Sequence, residues 1–178
     1  MSAAVGQPAT VADVGEHTIT ALVQDIPATL ARVVASFRRR GFNITSLTVG
    51  NSEKPGMSRM TIVVKGNPQT INMAAVQLER LVEVVEASDI THSNIVWREL
   101  ALIKVARDPD KHTEIGEIGQ IFRAQVVDMS PSRITYEVTG STEKINSMIS
   151  LLEPFGVLEV MRTGRVATMR HAEERATP

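Results

Sequence analysis

The hydrophobic positions of this chain change period several times, and each change marks an element. "HTITALV" (17–23) alternates Ile19, Ala21 and Val23 against Thr18, Thr20 and Leu22, which predicts a strand with both faces coverable. Leu30, Val33, Val34 and Phe37 then fall at i, i+3, i+4 and i+7, one face of a helix. Asp25 is the expected N-cap, and Pro27 is tolerated in the first turn because its missing N–H needs no partner there. Arg38, Arg39 and Arg40 crowd the end favoured by cations, and Gly41 supplies the left-handed cap. "FNITSLTVG" (42–50) and "SRMTIVVKG" (58–66) read as a hairpin around the polar turn "NSEKPGM" (51–57), with Met60, Ile62 and Val64 alternating against Arg59, Thr61 and Lys65. Pro68 opens a second helix with Ile71, Ala74, Ala75 and Leu78 on its face, and "LVEVVEASDI" (81–90) closes as a strand.

After a polar hinge at 87–94 the same order returns. "WRELALIKVA" (97–106) is a strand, Ile115, Ile118 and Phe122 mark a helix, and "AQVVDMS" (124–130) with "SRITYEVTG" (132–140) forms a hairpin around Pro131. Ile145, Met148, Ile149 and Leu152 mark the last helix, and "GVLEVMRTG" (156–164) the last strand. The expectation is an α+β protein of two tandem ferredoxin-like β-α-β-β-α-β domains. They span 17–92 and 93–170, flanked by flexible ends at 1–16 and 171–178. The repeat is one of topology; the residues themselves repeat poorly.

Composition narrows the function classes. The 178 residues are 43% hydrophobic, enough for a real core, and the net charge of -1 draws the chain toward neither nucleic acid nor an anionic membrane. Aromatics are 3%, which weakens any stacking platform for single strands. Cysteine is absent, so disulfides, thiolate metal sites and Cys nucleophiles are excluded, in keeping with a cytoplasmic protein. The N-terminus has no basic and apolar regions of a secretory signal, and no apolar run reaches the ~20 residues of a membrane span.

Candidate chemistry is sparse. His17, His92, His112 and His171 lack the i, i+4 spacing of a helical zinc site and read as solvated surface residues. "GEIGQIF" (116–122) lacks the strand and spacing of a dinucleotide loop, so its glycines belong to a helix. Glu83 and Glu86 read as a carboxylate pair facing water, the methionines at 57, 60, 73, 129, 148, 161 and 169 as gap-fillers, and "FRRRG" as a cation-stabilised helix end rather than a phosphate patch. No elbow or phosphate loop occurs, so an enzyme of ferredoxin-like fold would need groups that the sequence does not place together. The helix start after Asp25 is the one feature with binding potential: the amides of Ala28, Thr29 and Leu30 suit a carboxylate, and Asp25 an ammonium.

"LVQDIPATLARVVASFRRRGFNITSLTVG", "SRMTIVVKG" and "QLERLVEVVEASD" resemble the ACT domain of the small, regulatory subunit family of acetolactate synthase (acetohydroxyacid synthase). "RELALIKVA", "IFRAQVVDMSPSRITYEVTG" and "LLEPFGVLEVMRTGRVATMR" resemble that family's C-terminal domain in order and spacing, so the resemblance covers about 17–170. It implies a non-catalytic chain that activates a separate catalytic subunit and confers feedback inhibition by a branched-chain amino acid, typically valine. Thiamine diphosphate, magnesium and FAD would belong to that partner, with no cofactor on this chain. It also implies a homodimer through paired ACT domains, with effector contacts from Asp25, Ile26, Pro27, Ala28, Thr29 and Leu30 and, from the neighbouring protomer, Asn43 and Ile44. The sequence departs at Ala28, where the family has Gly; a methyl there is either absorbed by a small shift or blocks the pocket. A valine-insensitive variant subunit and a stand-alone amino-acid sensor are therefore the alternatives.

Overall fold

The computed structural model describes residues 15–66, 68–107 and 110–170, with no side-chain description at 68–72. The expected flexible residues 1–14 and 171–178, His171 and the Ile71 side chain lie outside this range. Gly15 and Glu16, expected in the extension, already belong to the first strand.

Through β8 the elements follow the predicted order: β1 (Gly15–Gln24), α1 (Thr29–Arg38), β2 (Asn43–Asn51), β3 (Met57–Gly66), α2 (Pro68–Glu79), β4 (Val84–Asp89), then β5 (Ile95–Ala106), α3 (His112–Ile121), β6 (Gln125–Met129), β7 (Arg133–Gly140), α4 (Thr142–Leu152) and β8 (Val157–Arg162); a further strand, β9 (Val166–Met169), follows. Two sheets result. The first has the order β2-β3-β1-β4 and the second β6-β7-β5-β8, with β9 paired to β5. This is the tandem ferredoxin-like architecture expected. The described residues divide into two compact units, 15–45 with 49–92, and 46–48 with 93–170.

In the first unit β1 pairs antiparallel with both β3 and β4. The register sets His17, Ile19 and Ala21 opposite Val64, Ile62 and Met60, so these residues share a face. Ile19, Ile62 and Val64 are fully buried, and Phe37, Val33 and Leu78 add the helical side of the core. Each such side chain contributes about 1.5–3 kcal/mol on burial. Thr18, Leu22, Thr61 and Val63, on the other face, are buried as well, as a strand central in its sheet allows.

Tertiary structure overrides pattern at several positions. Leu30 and Val34, expected in the core, are 45% and 37% exposed; α1 buries Thr29, Val33, Ser36 and Phe37 instead. The core-facing arc of α1 is centred on Val33, about 80° from the mean direction of Leu30 and Val34. Gly41 does end the helix: with φ +71 it lets Phe42 N–H reach Phe37 O and Gly41 N–H reach Arg38 O, the two bonds of a Schellman cap. β4 begins only at Val84, because Leu81–Glu83 form a turn. Glu83 there is buried and ion-paired with Arg32, not a solvated carboxylate, whereas Glu86 is exposed. His17 is also buried, with Nδ1 3.3 Å from Asp89 Oδ2, while His92 and His112 are exposed. Ile90, where the predicted strand and hinge overlap, lies one residue past β4, is buried, and its N–H is held by Thr18 O. Met60 and Met148 fill the core, but Met73, Met129, Met161 and Met169 are more than half exposed, so gap-filling does not explain them.

The second unit packs α3 and α4 against Ala101, Ile103, Val105, Ile134, Tyr136 and Val138. α4 is capped by Ser141, whose side chain accepts from Lys144 N–H. The strand β9 goes beyond the sequence reading: four residues carry too little alternation, and only the pairing of 166–169 with 95–98 makes them a strand. The structure also explains one of the two glycines of "GEIGQIF". A Cβ on Gly119 would stand 2.6 Å from Tyr136 Cε1, whereas one on Gly116 would meet nothing within 4 Å. Tyr136 is fixed there by its hydroxyl, which donates to Ile115 O at 3.1 Å. Burial pushes its pKa above the ordinary tyrosine value.

Gly119→Ala should therefore destabilise the second unit by about 1–3 kcal/mol through overpacking, and Gly116→Ala should stabilise it by about 0.5–1 kcal/mol through helix propensity. Trp97 is the single tryptophan and lies in β5, so its fluorescence in a urea titration reports this unit and checks both outcomes.

Candidate functional site

The connection from β1 to α1 is built by backbone bonds. Gln24 N–H donates to Glu83 O at 2.8 Å and Asp25 N–H to Gly56 O at 2.9 Å. Ile26 to Thr29 then close a turn: Thr29 N–H donates to Ile26 O at 3.3 Å, Pro27 occupies the second position, and Ala28 has φ 72, ψ -2. These are the features of a type II β-turn, where proline presets the second residue and the third must be left-handed. Glycine is the usual third residue; alanine holds the same shape at a cost of about 1–2 kcal/mol.

This turn displaces the expected cap. Ala28, not Asp25, is the N-cap of α1, and no side chain caps the helix. Arg32 N–H makes the first helical bond, to Ala28 O at 3.0 Å. Of the amides expected to point outward, that of Thr29 is engaged within the turn. The first-turn amides of Leu30 and Ala31 have no acceptor one turn back. Beneath them Thr29 is 4% exposed, and its Oγ1 has no hydrogen-bond partner. A buried hydroxyl left so costs about 1–3 kcal/mol. Asp25, Ile26, Pro27, Ala28 and Leu30 are exposed around it, Ile26 at 49%.

The loop behind the turn is stiff. Ser52 N–H donates to Met57 O at 2.9 Å, Met57 N–H to Lys54 O at 3.1 Å, and Lys54 N–H to Ser52 Oγ at 3.0 Å. Arg59 grips Glu53 with two bonds, Nε at 2.9 Å and Nη2 at 2.6 Å. The Arg59 hydrogen bond is the chief cause that holds the Glu53 carboxyl down at about 2. This buttress was not anticipated from the sequence; "EKPGMSR" signals a turn, but nothing in it says that the Gly56 carbonyl receives Asp25.

Asn43 and Ile44 lie elsewhere. They open β2, Asn43 exposed and Ile44 half-buried. The β1 end, Gln24, is paired with Met57, while Thr45 Oγ1 donates to Val63 O at 3.3 Å. Met57 and Val63 are six residues apart on one strand, about 20 Å. Within one chain, Asn43 and the Asp25–Leu30 turn therefore sit at opposite ends of the sheet, and β3 separates β2 from β1. The turn alone offers amide donors, a buried hydroxyl and apolar rims. Such a set fits the carboxylate end of a small apolar ligand. Among the described residues no group of three or more His, Asp and Glu is arranged to hold a metal, and no helix is long and apolar enough to cross a membrane.

Comparisons with known proteins agree across both units. Residues 19–86 match the family model of the AHAS small subunit-like ACT domain, and residues 98–171 that of the small subunit of acetolactate synthase. A "probable acetolactate synthase small subunit" of Archaeoglobus fulgidus is 48% identical over 155 residues, 87% of this chain and 97% of that one. The acetolactate synthase small subunit of Mycolicibacterium smegmatis is 44% identical over 154 residues, 86% of this chain and 91% of that one. The crystal structure of the Thermotoga maritima acetolactate synthase small subunit superposes with a TM-score of 0.83 at 42% identity, covering 89% of this chain and 99% of that one.

Two outcomes test the turn. Ala28→Gly should stabilise the first unit by about 0.5–1 kcal/mol, the relief of left-handed strain exceeding the extra unfolded-state entropy of glycine; circular dichroism in a urea titration measures it. The Glu53 carboxyl should titrate near 2 rather than 4.5 by carboxyl-detected NMR. Because the folded value is the depressed one, the support of the Arg59 pair is complete above the ordinary value and is lost as pH falls through about 2.

Proposed function

The chain belongs to the acetolactate synthase small-subunit family, and we propose that it is the regulatory, non-catalytic partner of a thiamine-diphosphate-dependent catalytic subunit. It raises that subunit's activity and carries feedback inhibition by valine in branched-chain amino-acid synthesis, in the cytoplasm. Thiamine diphosphate, magnesium and FAD reside on the catalytic subunit. The observation that carries the reading is the match of both units, in order, to this one family.

The effector site is completed by a second copy. Asn43 and the Asp25–Leu30 turn stand at opposite ends of one sheet, and an antiparallel two-fold pairing of β2 edges reverses one copy end for end. The partner's Asn43 then comes to the turn. The edge strand β2 leaves its outer hydrogen bonds free for such pairing. Ile26, Leu30 and Val34 supply exposed apolar surface at four-residue spacing. Leu30 and Val34 lie on the flank of α1 opposite Arg32, which is paired with Glu83 of the turn after α2. The valine carboxylate faces the Leu30 and Ala31 amides and the Thr29 hydroxyl, Asp25 takes the ammonium, and the isopropyl group lies against Ile26.

Ala28 is compatible with this site, because it already adopts the left-handed conformation that glycine provides in the family. Its exposed methyl supports a second reading, an activating subunit with lost valine response. Binding at an interface shifts the population of paired units, and a coupling of about 1–3 kcal/mol changes a linked equilibrium 5–150-fold.

The test is acetolactate formation by the cognate catalytic subunit with and without this chain, each with and without valine. Stimulation that valine reverses is the expected result. Asn43→Ala should keep the stimulation and weaken valine about 10–150-fold, as loss of a hydrogen bond to a charged group does. Stimulation that ignores valine, restored by Ala28→Gly, selects the second reading. No stimulation overturns the regulatory role.

A further inference from the structure

The other flank of α1 carries a second surface that the effector site does not use. At about 100° per residue, Leu30 and Val34 fall on one side of the buried face of α1, and Arg32 and Arg39 on the other. Ala31, Arg32 and Ala35 of α1, Arg39 at its C-cap and Leu81 of the turn before β4 line a cleft of about 340 Å³. The two alanines keep the floor shallow in side chain, which leaves depth for an incoming group. Arg32 is anchored from below by the buried Glu83, yet its side chain is 61% exposed, so the guanidinium is held in place with donors to spare. Arg39 is exposed beyond the helix end. Among the described residues no carboxylate lines the cleft; Glu83 is buried and paired with Arg32. Val82, next to Leu81 in the same turn, is 87% exposed, and Val85 on the edge strand β4 is 55% exposed.

An apolar floor between two guanidiniums is a poor home for a free inorganic anion, which gains nothing from Ala31, Ala35 and Leu81. It is a good one for a polypeptide that sets an apolar side chain into the cleft and carboxylates on either side, one for each arginine. A second copy bound on the Leu30–Val34 flank covers the opposite side of the helix and leaves this one open. We propose that the cleft between α1 and the α2–β4 turn is where the catalytic subunit docks, through an acidic segment with an apolar residue at its centre, one carboxylate pairing with Arg32 and another with Arg39. The inference rests on the regulatory reading above and names the surface through which it acts. It also places the docked partner and the effector on two flanks of the same ten-residue helix, so a shift of α1 on effector binding is felt directly at the docking cleft.

The experiment uses the full chain and its cognate catalytic subunit, with binding followed by surface plasmon resonance and function by acetolactate formation. Arg39→Glu and Val82→Asp should each weaken binding at least tenfold at low salt. The chain concentration for half-maximal stimulation should rise by the same factor, with the plateau of stimulation unchanged. Arg133→Glu, the same charge change on an exposed strand residue of the other unit, should behave as the unmodified chain. Valine affinity, read by calorimetry, should stay the same in all three. Thermal unfolding checks that each variant is folded, and Val82 is so exposed that aspartate there leaves the core untouched. Should both cleft variants bind and stimulate within twofold of the unmodified chain, the cleft is not the docking surface and the regulatory reading stands. Should the unmodified chain itself neither bind nor stimulate, the regulatory reading falls and this surface with it.

Discussion

Everything in each half of this molecule hangs on its first strand. β1 pairs with β3 on one side and β4 on the other, and β5 does the same with β7 and β8. A strand bonded along both edges cannot slip without breaking two ladders at once, and a one-residue slip would reverse which side chains meet the core. Ile19 and Ile103, fully buried at the centres of the two sheets, make such a slip costly. The place where β1 stops is therefore fixed, and the turn that follows it is fixed in turn.

That turn is an arrangement of main-chain groups under local strain. Ala28 would relax to negative φ in a free peptide. It is held because Asp25 is tied to Gly56, because Pro27 presets the residue before it, and because α1 is anchored by Val33 and Phe37 below. Glu53 and Arg59 stiffen the loop that supplies the Gly56 carbonyl. A site made from amides and one buried hydroxyl is insensitive to the identity of most surrounding side chains and sensitive to their backbone geometry. A single methyl at residue 28 is felt for that reason.

α1 is amphipathic in an unusual way. Its buried arc is narrow, bounded by an apolar flank of Leu30 and Val34 and a cationic flank of Arg32 and Arg39. A helix that carried only a core would have no reason to expose two aliphatic residues on one side and two arginines around small residues on the other. The two flanks differ in kind, one apolar and one cationic, and the Ile26–Thr29 turn sits where the helix begins.

The sequence by itself determined the order of elements up to β8, the tandem ferredoxin-like topology and the Gly41 cap, because those follow from local periodicity and from residues with restricted backbones. It also carried the family, in motifs such as "RRGFNI" and "IFRA". What it left open were the matters settled by non-local contact. The helix face from Leu30 to Phe37 fits the core by spacing alone, and only the angle at which α1 meets the sheet turned Leu30 and Val34 outward. Glu83 and His17 read as solvated until Arg32 and Asp89, 51 and 72 residues away, were brought to them. Asp25 is a good cap residue in isolation, but Pro27 and Ala28 form a turn first, and Gly56 takes the Asp25 amide. Strand β9 and the need for Gly119 exist only through β5 and Tyr136. Backbone preference is encoded in a few adjacent residues and can be read from them, whereas burial, pairing and charge compensation depend on which distant residue the fold places opposite.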